Sequence, residues 1–507
     1  MDVWNAAVGM WNWLMENLLY INLILSVVIV FFQRRDPKAV WTWLLVLYFI
    51  PIFGFFLYLM LCQDYRKSKM FKVKEVEDRL RYSVETQEEF LLNSRQYLTD
   101  PLNRDFEDLV IYNLETSGAV LTVDNTVDLF TDGEEKFADL RSELEKAEQY
   151  IHIQYYIIKN DELFQSIMPI LTKKAKEGVE VRILYDGMGG RFMPEKVWNQ
   201  LRQSGILVGE FFPAFLGRFQ LRMNYRNHRK IVVIDGKTGY VGGFNIGKEY
   251  ISKDPKFGYW RDTHLKIRGG AVYSLQIRFA LDWNYATKEN LFKNAKYFGM
   301  PEDGGEVCVD TASLLKPVGC QVGMRPIGIQ IITSGSDSSV RQIRDNYLEL
   351  FHKAKKNIYI QTPYFVPDDA VLSALSIAAR AGVDVRLMIP CKPDHPFVYW
   401  ATYSYVGDLL AAGARCYTYE NGFLHAKGVT IDGMVCCYGT ANMDIRSFEL
   451  NFEVNAIIYD EETAKRMEDI FHRDLELCRE VTRTVYEKRS LWIRFKEQCS
   501  RLLSPLL

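Results

Sequence analysis

His228-Arg-Lys230-Ile-Val-Val-Ile-Asp235-Gly236 and His425-Ala-Lys427-Gly-Val-Thr-Ile-Asp432-Gly433 are the stretches on which the fold of this chain turns. A glycine-led tetrapeptide follows each at the same distance: Gly242-Gly243-Phe244-Asn245 in the first copy and Gly439-Thr440-Ala441-Asn442 in the second. Both read H-x-K-x(4)-D-x(6)-G-[GT]-x-N without a gap, and they begin 197 positions apart. Five fixed positions recurring in this way mark an internal repeat. They also bring together what phosphodiester chemistry needs without a metal or other cofactor: a nucleophile, an acid and fixed positive charge.

Working outward, the repeat widens. Tyr150-Ile151-His152-Ile153-Gln154 matches Asn357-Ile358-Tyr359-Ile360-Gln361, and Ala175 to Leu184 matches Ala379 to Met388. Each half runs strand, helix, apolar strand, histidine strand, then a strand bearing the Gly-Gly or Gly-Thr. Gly178 and Gly382 each stop a helix before a Val-rich strand. Strands interleaved with helices predict an α/β fold of two lobes related by internal duplication, each a mixed β-sheet flanked by helices. The expected divisions are 1–72, a membrane segment; 73–300, the first lobe; 301–328, a Gly/Pro-rich linker; and 329–507, the second lobe with an amphipathic tail. Two lobes packed about a pseudo-twofold bring both histidines to one cleft.

Composition narrows the partners. The chain has 507 residues and a formal net charge of −2, from 62 basic and 64 acidic side chains. That balance supplies no overall field for a polyanion, so no nucleic-acid partner is expected. Nine cysteines without a C-x-x-C pair indicate free thiols rather than zinc or disulfides.

The N-terminus points to a membrane. Trp11 to Phe32 is largely apolar, and Ala39 to Cys62 is 24 residues without a charge. About 20 such residues cross a hydrocarbon layer as a helix, so a transmembrane helical hairpin is predicted. Residues 1–17 lack Lys and Arg, which argues against a signal peptide. The basic residues Arg66, Lys67, Lys69, Lys72 and Lys74 place the large domain in the cytoplasm by the positive-inside rule, although Arg34, Arg35 and Lys38 oppose this. At the other end, Leu491, Trp492, Phe495 and Leu502 alternate with Lys488, Arg494, Lys496 and Arg501. This reads equally as an interfacial helix or as a tail helix packed on the domain.

With these residues assembled, the chain resembles the phospholipase D superfamily, and within it the bacterial cardiolipin synthases. The narrower likeness lies in Asn224-Tyr-Arg-Asn-His-Arg-Lys230, Trp260-Arg-Asp-Thr-His264, Gln361-Thr-Pro-Tyr-Phe-Val-Pro367, Gly422-Phe-Leu-His-Ala-Lys427 and Gly439-Thr-Ala-Asn-Met-Asp-Ile-Arg-Ser-Phe448, then Leu450-Asn-Phe-Glu453. It departs at Thr333-Ser-Gly-Ser-Asp-Ser338, where the family more often has proline after the glycine.

The resemblance implies a membrane enzyme that converts two phosphatidylglycerols into cardiolipin and glycerol, with His228 as nucleophile and His425 as acid and base. Lys230, Lys427, Asn245 and Asn442 would hold the non-bridging oxygens, with Gly243 and Thr440 beside the phosphate. An ordinary histidine pKa near 6.5 would let both protonation states exist close to neutral pH. Asp235 and Asp432 belong to the catalytic blocks, yet they lie down the strand and could instead fix the turn. The preferred carboxylates for holding the imidazoles are therefore Asp262, 34 residues after His228, and Glu453, 28 after His425. The competing readings are a phospholipase D that uses water as acceptor, a nuclease, and a non-catalytic membrane scaffold. Two complete blocks argue against the last.

Overall fold

The computed structural model describes residues 5, 8–10, 12, 13, 16–32, 37–50, 53–61, 105–213, 225–298, 327–338 and 340–504. The basic cluster at 64–74, the hairpin loop at 33–36 and nearly all of the expected linker (301–326) lie outside the described residues.

Three helices open the chain: α1 (Leu18–Phe32), α2 (Pro37–Phe49) and α3 (Phe53–Leu61). Among the described residues no helix is long and apolar enough to cross a membrane; most of the loop of the expected hairpin lies outside them. The apolar run 39–62 does not form one rod. Pro51 falls between α2 and α3 in sequence, and proline cannot donate to a helical ladder. Beyond it α3 lies back on α2: the Tyr58 and Trp43 rings are 5.5 Å apart, and a Cβ on Gly54 would stand 3.0 Å from the Val46 carbonyl oxygen. Leu19, Leu23, Val27, Trp41, Tyr48, Phe49 and Phe53 remain exposed.

The first lobe holds β1 (Thr122–Phe130), β2 (Tyr150–Tyr155), β3 (Glu180–Asp186), β4 (Leu207–Phe211), β5 (Ile231–Ile234), β6 (Thr238–Gly242), β7 (Trp260–Arg261) and β8 (His264–Arg268). The second holds β9 (Ile327–Ser334), β10 (Asn357–Gln361), β11 (Phe365–Val366), β12 (Asp384–Pro390), β13 (Arg415–Tyr419), β14 (Phe423–Leu424), β15 (Gly428–Ile431), β16 (Val435–Gly439), β17 (Met443–Asp444), β18 (Glu453–Tyr459) and β19 (Cys478–Glu480). From its outer edge the first lobe runs β4-β3-β2-β5-β6-β8-β1. The second runs β13-β12-β10-β15-β16-β18-β9, the same order, with β19 added outside β13. The lobes share one 15-stranded sheet, because β1 pairs antiparallel with β9. In each lobe the strands at the outer side are parallel and the histidine hairpin is antiparallel, so the sheet is mixed.

Apolar packing seals the seam. Helix α4 (Glu107–Ser117) falls within the expected first-lobe span, yet its Leu109, Val110 and Leu114 pack with Ile332, Ile343 and Tyr347 of the second lobe. Tyr112 donates to Asp345 at 2.8 Å. Helix α4 leads into β1, the seam strand, and so lies over its neighbour's side of the sheet. Helix α5 (Ala271–Thr287) sets Leu275 and Phe279 in one cluster with Ile329, Val454 and Ile458. Three further helices matter below: α6 (Pro396–Ala412), α7 (Glu461–Leu475) and α8 (Leu491–Leu502).

Candidate active site

Each histidine stands just before its hairpin, and its backbone is tied to the opposite lobe. The His228 amide donates to the Phe452 carbonyl at 2.9 Å, and the Phe452 amide returns a bond to the Arg226 carbonyl at 2.8 Å. Likewise the His425 amide donates to the Arg261 carbonyl at 2.7 Å, where β14 runs parallel to β7. Phe452 and Arg261 immediately precede Glu453 and Asp262. The carboxylates are therefore delivered crosswise: Glu453 lies 3.0 Å from His228 Nδ1, and Asp262 lies 2.6 Å from His425 Nδ1. Sequence distance associates Asp262 with the first block and Glu453 with the second; the structure reverses that association. With Nδ1–H donating to a carboxylate, Nε2 of each ring is left for chemistry.

The surrounding residues serve these carboxylates. A Cβ at Gly243 would stand 1.9 Å from Asp262 Oδ1, so only glycine leaves Asp262 its place. The equivalent Thr440 donates its hydroxyl to Glu453 Oε2 at 2.6 Å. The space beside Gly243 and the Thr440 hydroxyl are thus both committed to the carboxylates. Arg229, the variable residue of the first H-x-K, is buried against Asp282 at 2.8 Å and donates Nε to the Glu453 carbonyl at 3.0 Å. Arg261 is held by Asp474 of α7 at 2.8 Å.

The motif aspartates sit at the far end of their strands. Asp235 and Asp432 have φ of 52° and 54°, followed by Gly236 and Gly433 at 65° and 61°, which open the three-residue hairpin loops 235–237 and 432–434. Asp235 accepts the amides of Glu148, Gln149 and Tyr150, each at 2.8 Å. Asp432 accepts those of Lys355, Lys356 and Asn357 at 2.7 to 2.8 Å. Their inclusion among the catalytic groups is corrected to a turn-fixing place that secures the neighbouring strand.

Lys230 donates Nζ to the His228 carbonyl at 2.6 Å. Lys427 lies 2.7 Å from His425 Nδ1 and also bonds the His425 carbonyl. Asn245 accepts the Ile157 amide at 3.1 Å and donates to the Tyr250 hydroxyl at 3.0 Å. Asn442 Oδ1 is buried and has no hydrogen-bond partner among the described residues. Aromatic rings line the site: Tyr156 is 5.1 Å from His228, and Trp260 is 4.9 Å from His425. Tyr364 donates its hydroxyl to Asp394. The neighbouring His395 is exposed. Tyr250 and Trp260 carry no motif signal beyond the family word that contains Trp260, and the supports Asp282 and Asp474 carry none.

Burial sets the protonation states. Desolvation lowers His228 to about 4 against the opposing pull of Glu453, with Lys230 and the other lobe's Lys427 lowering it further. Desolvation, then Lys427, lowers His425 to about 4, Asp262 opposing and Lys230 adding to the fall. Each lysine thus acts on the histidine of the opposite lobe, in keeping with the crossed carboxylates that join the two blocks. Burial also brings Lys427 down to about 8 and Lys230 well below its ordinary value. Burial opposes ionisation of Asp262 and Glu453, but the adjoining histidines and lysines outweigh it and lower both. Both imidazoles are therefore neutral at pH 7, where the sequence led to expect a mixture.

A two-lobed α/β sheet with paired H-x-K blocks at its seam defines a phospholipase D-like protein. The family model described as cardiolipin synthase, phospholipase D-like domain, matches residues 140–255 and 347–475. A phospholipase D–nuclease N-terminal model matches residues 21–61. The major cardiolipin synthase ClsA of Bacillus subtilis (strain 168) is 47% identical over 96% of this chain and 97% of its own. A cardiolipin synthase of Staphylococcus aureus (strain Mu50 / ATCC 700699) is 48% identical over 96% and 95%. In fold, the chain is similar to the phosphatidylserine synthase of Haemophilus influenzae Rd KW20, with a TM-score of 0.57 at 15% identity, covering 80% of this chain and 100% of that one. The chain belongs to the cardiolipin synthase family of phospholipase D-like proteins.

Proposed function

We propose that this protein is a phosphatidyltransferase that converts two phosphatidylglycerols into cardiolipin and glycerol. The observation that carries the reading is the crossed pair: two imidazoles, each bonded through Nδ1 to the other lobe's carboxylate, with the charges of both lysines acting on both rings. His228 Nε2 attacks phosphorus, and the P–O bond to the departing glycerol breaks as a P–N bond forms. His425, protonated, gives its proton to the glycerol oxygen. It then takes the proton of the second lipid's hydroxyl, whose oxygen attacks phosphorus and releases His228. Because His425 is neutral in the ligand-free site, the anionic diester itself supplies the charge that raises its proton affinity. Lys230 and Lys427 offset the charge developing on the non-bridging oxygens.

The exposed apolar sides of α1, α2 and α3 hold the enzyme at a membrane. The basic residues after them favour the cytoplasmic leaflet. The matching strand order of the two lobes supports an origin by internal duplication. Purified protein given labelled phosphatidylglycerol should yield cardiolipin and glycerol in equal amounts. Phosphatidic acid as the main product would replace this reading with hydrolysis.

A further inference from the structure

The C-terminal helix α8 packs on α6 by one side and leaves its other side bare. Lys496 Nζ lies 4.3 Å from the Trp400 ring. Arg501 lies 4.3 Å from the Tyr405 ring and pairs with Asp408 at 2.7 Å. Both helices advance by five residues between these contacts, so they run side by side in the same direction. The first turn of α8 therefore lies toward the start of α6. There Leu491, Trp492 and Phe495 are exposed at 82%, 64% and 59%, and Phe397 in the first turn of α6 at 62%. Trp492 and Phe495 stack on one another at 5.6 Å rather than on the domain. Glu497 and Ser500, on the opposite side, are buried.

We propose that this face of α8, with the first turn of α6, docks on the surface of an anionic bilayer, independently of α1–α3. Three observations select that occupant. Large apolar side chains on a helix flanked by cations match a lipid interface, with rings among the acyl chains and charges at the headgroups. Residues 483–504 carry six basic side chains against two carboxylates, in a chain whose formal net charge is −2; a second copy docked by a twofold would oppose like charges. The face also adjoins the loop that carries Asp394: α6 starts two residues after it, and Asp394 bonds Tyr364 while its charge acts on Lys427. Docking here sets the His425 side of the site against headgroups. The inference rests on the phospholipid-transfer reading for its purpose, but not for its test.

The test is amide hydrogen exchange of the full chain in nanodiscs of phosphatidylcholine, with and without phosphatidylglycerol. Amides of 491–502 should exchange at least about tenfold more slowly in the anionic discs, at any protein-to-disc ratio. Trp492→Ser/Phe495→Ser should abolish that protection, and Lys488→Gln/Arg494→Gln should weaken it in a salt-dependent way. The first variant should turn over bilayer lipid about tenfold more slowly while keeping its rate on dispersed short-chain phosphatidylglycerol. Equal protection in both discs, or protection that follows protein crowding instead of lipid, overturns the proposal; so does equal loss on both substrates. Protection accompanied by phosphatidic acid as product would uphold the docking surface and reject the transferase.

Discussion

His228 and His425 are near-identical in sequence context, and their surroundings make them partners by exchanging supports. Glu453 holds the first and Asp262 the second. Chain distance alone ties each carboxylate to its own lobe, so the crossing gives a direct test. Glu453→Gln should change the rate at which diethylpyrocarbonate modifies His228 and leave His425 alone; Asp262→Asn should do the reverse. Mass spectrometry of the modified protein reads both sites, and an exchange of these effects would contradict the pairing. The G-[GT] variation of the repeat has the same origin. The first lobe needs room for a carboxylate beside Gly243, whereas the second uses the Thr440 hydroxyl to fix one. A sequence pattern shows that the two positions correspond but not what stands opposite them.

At the scale of elements, the histidine hairpins are secured at the end remote from the chemistry. Asp235 gathers three consecutive amides at the entry to β2, and Asp432 does the same at the entry to β10. Asp235→Ala should cost about 2 kcal/mol of stability by leaving those amides without their acceptor. It should leave kcat within a few-fold at temperatures where the variant is folded. Chemical denaturation together with lipid turnover separates the two effects; a collapse of kcat in a fully stable variant would return Asp235 to the catalytic set. The strand periods, the helix stops at Gly178 and Gly382, and the hairpin turns were all legible, because local propensity and tertiary packing agree there. The long apolar run 39–62 was not: its composition admits a single helix, while α2 and α3 are two that pack together at Gly54 and at the Trp43 and Tyr58 rings.

For the whole molecule, burial of the site at the seam links stability to pH. In the folded chain both imidazoles take up protons only near pH 4; in the unfolded chain they do so near 6.5. Between those values the unfolded state binds more protons, so stability present at neutral pH is lost as pH falls from about 6.5 to about 4. The loss is on the order of 3 kcal/mol for each ring. The lowered Asp262 and Glu453 add loss in the same direction at still lower pH. Thermal unfolding at pH 7.5, 6 and 4.5 should show a falling midpoint, and a His228→Gln/His425→Gln variant should show a shallower fall. A midpoint that rises on acidification would mean the rings are charged in the fold.

The sequence by itself determined the two-block repeat, the α/β alternation and the paired histidines and lysines, because each is a matter of residue type and spacing along the chain; it offered Asp262 and Glu453 only as the preferred carboxylates over Asp235 and Asp432. Only the tertiary structure decided which carboxylate serves which histidine, that α4 belongs over the second lobe, and that burial lowers the proton affinity of both rings. Those facts depend on the β1–β9 seam and on the exclusion of water around it, where strands distant in sequence exchange backbone bonds and bring opposite lobes within hydrogen-bond reach.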